Sequence, residues 1–141
     1  MIRAVLDTNV VFEGLSRKGS ACGLIVDTWH AGLLTACVSN PLICEYHDVF
    51  SRKFSERRWS QLKPLLGELI NDHGKFITVW FSWRPVSPDP ADDHVIDCAM
   101  NARAPVVTSN VRDFRIAERE LGLNVMTPVT FLKHLVNRRS L

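Results

Sequence analysis

The 141-residue sequence lacks several features that would assign a protein to a class at once. It has no apolar run that approaches the roughly 20 residues a membrane-spanning helix needs. Its first residues do not form the basic, apolar and small-residue series of a secretory signal. It contains no internal repeat, low-complexity tract or linker. These absences predict a cytoplasmic protein without membrane contact, in which residues 1–141 form a single domain.

The cysteine spacing and the net charge argue against two further classes of protein, zinc-binding proteins and strongly basic nucleic-acid-binding proteins. The four cysteines show no paired spacing of zinc ligands, so we expect reduced, buried thiols rather than a zinc site. The net charge of +2 is too small to indicate nucleic-acid binding by itself, so any such role depends on local clusters of basic residues. The hydrophobic content of 46% and the charged content of 23% are typical of a globular protein with one core.

Hydrophobic periodicity predicts strands that alternate with helices. The predicted strands are 2–6, 33–38, 76–81, 106–108 and 124–126. The predicted helices are 21–30, one that begins at 39–41, 55–71 with strain or a break at Pro64, one that begins at Asp93, 114–121, and 128–137 capped by Thr127. Residues 14–20 are predicted to be a loop. This alternation favours an α/β fold with a central parallel sheet covered on both faces.

Acidic residues stand where predicted strands end and where predicted helices begin. Asp7 follows the first strand, Asp113 follows the fourth, and Glu45 lies about a turn and a half into the helix after the second. Asp92 is the predicted N-cap of the helix that begins at Asp93. Parallel sheets bind ligands at the carboxyl ends of their strands, so three or four carboxylates converge there if the first, second and fourth strands are neighbours. Oxygen ligands of this kind suit Mg²⁺ or Mn²⁺.

Asp97 lies four residues after Asp93 and therefore on the same face of the helix. Two like charges at this spacing destabilise an isolated helix by a few tenths of a kcal/mol, and a bound cation is one reason for such a pair. The alternatives remain open at this stage. Asp93 and Asp97 could instead be solvated surface acids, Glu45 a helix residue that reaches solvent, and Asp7 a cap for a turn or helix.

Four segments resemble the four motifs of PIN domains, in the family's order, and most closely those of the bacterial toxin-like branch akin to the VapC ribonucleases. The segments are VLDTN at 5–9, SNPLICE at 39–45, DPADD at 89–93 and VTSNVRDF at 107–114. The resemblance implies a three-layer α/β/α fold with a central, mainly parallel sheet. It also implies an endoribonuclease that depends on Mg²⁺ or Mn²⁺ and leaves a 5′-phosphate, frequent homodimers, and inhibition of toxin members by an antitoxin protein.

The resemblance also implies roles for individual residues. Asp7, Glu45 and Asp93 occupy the first three acidic positions, while Asp97 and Asp113 compete for the fourth. We expect all five to contribute to catalysis, and Asp7, Glu45, Asp93 and Asp113 to bind the metal. The supporting polar positions are Asn9, Thr108, Ser109 and Asn110. The chain departs from the pattern at Asn110, where many members have an acid, and at 101–105, which lacks the usual glycine.

The densest basic run consists of Arg52, Lys53, Arg57 and Arg58. We predict that these residues contact RNA phosphates. A solvated helix junction and a contact with a protein, either an antitoxin or a second subunit, are the alternatives for this run.

The leading hypothesis for function is therefore a metal-dependent ribonuclease toxin that acts on RNA. A catalytically weak PIN fold that binds RNA or protein is the alternative. A phosphatase with a strand-end aspartate as nucleophile is disfavoured, because such enzymes need a second acid two residues later, where this chain has Asn9.

Overall fold

A five-stranded parallel sheet forms the centre of the part of the chain that the computed structural model describes, residues 2–83 and 89–139. The strands are β1 (Ile2–Leu6), β2 (Leu34–Val38), β3 (Gly74–Phe76), β4 (Val106–Val107) and β5 (Val125–Met126), in the order β3-β2-β1-β4-β5. β1 is central, since it pairs in parallel with both β2 and β4. β1, β2 and β4 are therefore neighbours, as the predicted convergence of the acidic residues requires.

Helices connect the strands and complete a three-layer α/β/α fold. They are α1 (Thr8–Ser16), α2 (Ala21–His30), α3 (Asn40–Lys53), α4 (Glu56–His73), α5 (Asp93–Ala102), α6 (Arg115–Leu121) and α7 (Pro128–Arg139). The consecutive residues Ala4, Val5 and Leu6 are each fully buried. Because successive side chains of a strand point to opposite faces, the sheet is covered on both sides, as the alternating pattern predicts. Among the described helices, none has both the length and the apolar character that crossing a membrane requires.

Hydrogen bonds hold the carboxyl ends of the central strands in one row. The backbone N–H of Asp7 donates to the carbonyl of Val107 (3.0 Å), which places the residue after β1 beside the end of β4. The buried Tyr46 hydroxyl donates to the carbonyl of Leu6 and ties α3 to the end of β1. Side chains from β1, α3 and the loop after β4 can therefore meet at one edge of the sheet.

Helix α1 is absent from the sequence prediction, and the predicted loop at 14–20 is wrong at its start because α1 continues to Ser16. Val10 and Val11 are β-branched and weaken a local helix signal, but both are fully buried against the core. Gly14 permits the close approach of α2, since a Cβ there would lie 2.7 Å from the carbonyl oxygen of Cys22. Tertiary packing, rather than local propensity, stabilises this helix.

The predicted third strand at 76–81 is also misplaced. The paired strand is Gly74–Phe76, and among the described residues one further ladder bond follows, from the N–H of Ile77 to the carbonyl of Val38 (2.8 Å). The alternating pattern that favoured a longer strand comes from side chains that are exposed, among them Trp80 and Phe81. Alternation normally marks a half-buried strand, but here Ile77 packs against the core while Phe76, Val79, Trp80 and Phe81 are exposed.

Two smaller differences concern helix geometry. Pro64 lies inside α4 without breaking it, because the helix buries Leu62, Leu66 and Leu69 on one face and this packing offsets the missing hydrogen bond. At the junction 101–105, where a glycine is absent, Arg103 itself adopts the left-handed conformation (φ 53°) and ends α5.

Candidate active site

A pocket of about 230 Å³ opens where β1 ends, and three carboxylates line it: Asp7, Glu45 and Asp92. We call it the acidic pocket. Its other lining residues are Thr8, Asn9, Phe12, Val49, Lys53 and Asn110. The structure thus brings together parts of all four motif segments, and it places Asp7 and Glu45 in one pocket as the sequence predicts.

Asp7 is the most constrained acid of the pocket. Its side chain is 5% exposed, and its Oδ1 accepts a hydrogen bond from the N–H of Thr8 (2.8 Å). Its Oδ2 accepts from the Thr108 hydroxyl (2.7 Å) and from Nδ2 of Asn9 (3.4 Å). Burial raises the pKa of Asp7, while the hydrogen bonds from Thr108 and Thr8 oppose this rise and the charge of Glu45 adds to it. These donors orient the carboxylate and favour its ionised form.

Glu45 reaches the pocket from α3. Ser39 caps this helix by accepting from the N–H of Leu42, and Pro41 lies in its first turn. Glu45 and Lys53 are eight residues apart, so they lie on one face of α3, and both line the pocket. Oε2 of Glu45 lies 2.5 Å from Nε2 of His94 on α5. This contact with α5 fixes the orientation of the Glu45 carboxylate.

Asp92 is a site residue that the sequence prediction missed. It occupies the predicted N-cap position of α5, yet its side chain makes no capping hydrogen bond and lines the acidic pocket instead. Burial raises its pKa to about 6, and the charges of Asp7, Asp89, Asp113 and Glu45 contribute in that order. Burial is the main cause and the four negative charges add to it, so positive charge close to Asp92 would be favourable.

Asp93 and Asp97 lie elsewhere. Asp93 is the first residue of α5, is 2% exposed and does not line the acidic pocket. Asp97 lines a separate cleft, and its Oδ1 accepts a hydrogen bond from the N–H of Trp83 (3.0 Å). The expectation that both acids contribute to the site stays a prediction. A short 3-10 turn at Pro90–Asp92 precedes α5 and decides which of the two adjacent acids, Asp92 or Asp93, faces the pocket.

The predicted polar residues after β4 form a network around Asp7. The Thr108 hydroxyl accepts from the N–H of Asn110 (3.0 Å) while it donates to Asp7. Oδ1 of Asn9 accepts from the N–H of Ser109 (3.2 Å). Asp113 lies in the following 3-10 turn, Val111–Phe114, close enough for its charge to raise the pKa of Asp92. Of the two candidates for the fourth acid, Asp113 is therefore the one whose charge acts on the pocket.

The basic run divides into residues with different surroundings. Lys53 lines the acidic pocket, and its Nζ lies 5.1 Å from the ring centre of Phe12. Arg52 pairs with Asp48 on the same helix face (2.9 Å), and Arg58 donates to the carbonyl of Leu15 (3.4 Å). Arg57 is exposed at the start of α4. Lys53 is the member of this run that the structure places at the pocket.

The acidic pocket fits a hard divalent cation. The described residues contain no group of three His, Cys, Asp or Glu side chains gathered closely enough to enclose an ion on their own. Mg²⁺, however, keeps several waters and binds through one or two carboxylates together with substrate phosphates. The buried hydroxyl of Thr8 also lines the pocket and has no hydrogen-bond partner among the described residues. A water bound in the pocket would satisfy this hydroxyl.

The fold and the pocket define an α/β protein with an acidic site at the carboxyl edge of a parallel sheet. The sequence model of the family described as PIN domain matches residues 3–112. The chain therefore belongs to the PIN domain family, as its four motif segments suggest. No curated protein sequence matches the chain.

Solved structures share this fold at low sequence identity. VapBC2 from Rickettsia felis, solved bound to a DNA fragment from the promoter, contains a chain that is 16% identical, with a TM-score of 0.62 over 89% of this chain and 98% of that one. FitAcB from Neisseria gonorrhoeae gives 15% identity and a TM-score of 0.59, over 89% and 97% of the two chains. FitAB bound to the IR36 DNA fragment gives 15% and 0.60, over 89% and 94%. Likeness at this identity shows the fold.

Proposed function

We propose that this PIN domain is an endoribonuclease that requires Mg²⁺ or Mn²⁺, and that it is the toxin component of a toxin–antitoxin pair. The observation that supports this proposal most is the convergence of Asp7, Glu45 and Asp92 on one pocket at the carboxyl edge of the sheet. The pKa of Asp92 is raised to about 6, mainly by burial and further by the charges of Asp7, Asp89, Asp113 and Glu45, and a cation bound nearby would favour its ionised form.

Each residue of the acidic pocket has a role in this proposal. Asp7 and Glu45 hold the metal ion, with Thr108 and His94 fixing the orientation of the two carboxylates. Asp92 lines the same pocket, and Asp113 acts on it through its charge. Asp93, the ligand predicted from the sequence, does not line the pocket and stays a candidate. A divalent ion held there supplies positive charge against the scissile phosphate and lowers the pKa of water.

Lys53 is placed to bind the RNA backbone. It lies on the same face of α3 as Glu45, and its ammonium group is the basic side chain that lines the pocket. A phosphate next to the scissile one can accept from it while the scissile phosphate faces the carboxylates. Lys53 thereby offsets the repulsion between an acidic pocket and a polyanion.

Partner and compartment are part of the proposal. The solved VapBC2 and FitAB assemblies carry a chain of the same fold next to a second protein, which favours an antitoxin as the partner of this chain. The resemblance to the toxin-like branch further favours a homodimer. Cys22, Cys37 and Cys98 are buried free thiols as predicted, whereas the prediction of a buried thiol is wrong for Cys44, which is exposed. Free thiols fit the reducing cytoplasm that we propose as the compartment.

The test is a cleavage assay with the purified full chain and a mixture of structured RNAs. We expect cleavage with Mg²⁺ or Mn²⁺, none with a chelator, and products that carry a 5′-phosphate. Cleavage that persists in the chelator would contradict metal dependence. RNA binding without cleavage at any metal concentration would favour the alternative, a binding module with the PIN fold.

A further inference from the structure

A second cleft of about 420 Å³ lies next to the acidic pocket and is not needed to explain metal binding. His94 joins the two, because it lines this cleft while its Nε2 contacts Glu45 of the acidic pocket. Asn40, Thr78 and Ser82 supply amide and hydroxyl groups to the cleft wall. A ligand that spans both cavities therefore passes directly from carboxylates to a surface of mixed polar and apolar character.

Three large aromatic side chains stand exposed beside this cleft. Phe76 lines it and is 62% exposed, while Trp80 and Phe81 are 79% and 68% exposed and lie in sequence between the lining residues Val79 and Ser82. We call Phe76, Trp80 and Phe81 the aromatic ledge. Exposing this much aromatic surface is unfavourable in water, which indicates a ligand that covers it.

The protein holds the ledge in place with hydrogen bonds from α5. Oδ1 of Asn101 accepts from the N–H groups of Trp80 (2.9 Å) and Phe81 (3.3 Å), and its Nδ2 donates to the carbonyl of Phe81 (2.9 Å). Nδ2 also donates to the carbonyl of Asp97 (2.7 Å), and the carboxylate of Asp97 accepts from the N–H of Trp83 (3.0 Å). These bonds substitute for the strand pairing that ends at Ile77. The backbone is fixed, so the aromatic rings are presented to solvent in a set position.

We propose that the aromatic ledge and its cleft bind unpaired nucleobases of the RNA that the acidic pocket cleaves, an inference that rests on the proposed function. Aromatic faces stack on the bases of single-stranded nucleic acid, and duplexes do not offer their base faces in this way. The amide of Asn40 and the hydroxyls of Thr78 and Ser82 can pair with base edges, and the exposed Lys75 beside Phe76 is available to a phosphate. The aromatic ledge is therefore a subsite for the unpaired bases that lie next to the cut.

The surroundings of the ledge favour RNA over a protein partner. His94 lines the cleft and contacts Glu45 of the acidic pocket, so an RNA chain bound at the pocket can reach the cleft past this one side chain. Hydroxyl and amide side chains also line the cleft, and groups of this kind can form hydrogen bonds with the edges of unstacked bases. The protein alternative is made an outcome of the test below.

The test measures binding of a fluorescein-labelled ten-nucleotide single-stranded RNA, and of a blunt RNA duplex of the same sequence, to the full chain in chelator, where no metal-dependent cleavage occurs. We expect preference for the single strand and quenching of tryptophan fluorescence. Trp80→Ala should weaken single-strand binding roughly 5- to 150-fold, the effect of losing one stacked base, while Trp80→Phe retains most of the affinity. Val129→Ala, a truncation of an exposed residue on α7, is the matched control and should bind as the wild type does.

Two results would overturn the inference while leaving the proposed function intact. The first is wild-type cleavage together with unchanged RNA affinity of Trp80→Ala and Phe81→Ala. The second is loss of a dimer by Trp80→Ala in analytical ultracentrifugation at unchanged RNA affinity, which would assign the ledge to a protein interface. A wild type that neither binds the RNA nor cleaves it with Mn²⁺ would overturn the proposed function and the inference together.

Discussion

The hydroxyl of Thr108 donates a 2.7 Å hydrogen bond to Oδ2 of Asp7, a residue 101 positions earlier in the chain. Both side chains are buried, and they follow the neighbouring strands β4 and β1. This bond connects the first and last motif segments of the PIN domain. It also lowers the pKa of an aspartate whose burial acts in the opposite direction.

Thr108→Val keeps the shape of the side chain, removes this donor and also removes the oxygen that accepts from the N–H of Asn110. We expect the free energy of unfolding at pH 7 to fall by about 1.5–3 kcal/mol, the usual contribution of a hydrogen bond to a charged group. Urea unfolding measures the change. Thr28→Val is the control, since it removes a hydroxyl bonded to the exposed carbonyl of Leu24, and it should cost clearly less. Equal losses of unfolding free energy in the two variants would show that the Thr108 bond stabilises the protein no more than an exposed hydrogen bond does.

Asp92 predicts a pH dependence of stability. Its pKa is about 6 in the folded protein against 3.8 for an ordinary aspartate, so between these values the folded state holds a proton that the unfolded state has lost. The free energy of unfolding therefore falls as pH rises from about 4 to 6, and the stabilisation is absent above that window. Asp92→Asn removes the unfavourable charge and should stabilise the metal-free protein at pH 7.5. We expect a gain of about 1 kcal/mol, less than the full pKa shift implies, because solvent screens this half-buried carboxylate.

The measurement for Asp92 is denaturant unfolding at pH 4 and pH 7.5 in chelator. The gain should be present at the higher pH and absent at the lower. Asp27→Asn, which neutralises an exposed acid on α2, is the control and should change little at either pH. A gain of the same size at both pH values would contradict the assigned electrostatic cause.

Lys53 and Arg52 are neighbours with different surroundings, and they provide a matched pair. Lys53→Gln should weaken RNA binding and lower the slope of log affinity against log salt by about 0.7, the value for one phosphate contact on a single strand. Arg52→Gln should leave the slope nearly unchanged, because Arg52 already pairs with Asp48 away from the pocket. The opposite order of effects would show that the RNA path runs along the outer face of α3.

The fourth acid can be assigned by a Mn²⁺ titration of cleavage. We expect Asp113→Asn to need more Mn²⁺ for half-maximal rate and to recover at high metal, because Asp113 adds negative charge at the acidic pocket. Asp97→Asn should keep the wild-type Mn²⁺ requirement, since the Asp97 carboxylate is engaged with the N–H of Trp83. A raised Mn²⁺ requirement for Asp97→Asn alone would make Asp97 the fourth ligand instead.

Much of the fold could be predicted from the sequence because its signals are local. The capped start of α3 at Ser39 and that of α7 at Thr127 are confirmed by their side-chain hydrogen bonds to the backbone. The buried apolar runs of β1, β2 and β4 are confirmed as well. Helix α1 could not be predicted in this way, because Val10 and Val11 favour a strand locally and only contact with α2 and the core makes a helix stable.

The candidate site was predictable to the level of the segment rather than the residue. Asp7 and Glu45 follow directly from the strand end and the helix face. Which of Asp92 and Asp93 faces the pocket depends on the 3-10 turn before α5. The α-helical periodicity of the sequence does not predict the direction of the side chains in this turn. Lys53 could have been singled out by its spacing of eight residues from Glu45, which carried more information than membership of a basic run.

The most direct test of the account is RNA cleavage by Asp7→Asn with saturating Mn²⁺, measured beside Asp27→Asn and followed by thermal unfolding with and without the metal. We expect Asp7→Asn to be folded and inactive, with little rise in its melting temperature on adding Mn²⁺. The wild type and Asp27→Asn should cleave and gain stability, by roughly 2.7 kcal/mol at a hundredfold excess of metal over its dissociation constant. Wild-type cleavage by Asp7→Asn, with an equal rise in melting temperature, would show that neither the chemistry nor the ion depends on the acidic pocket.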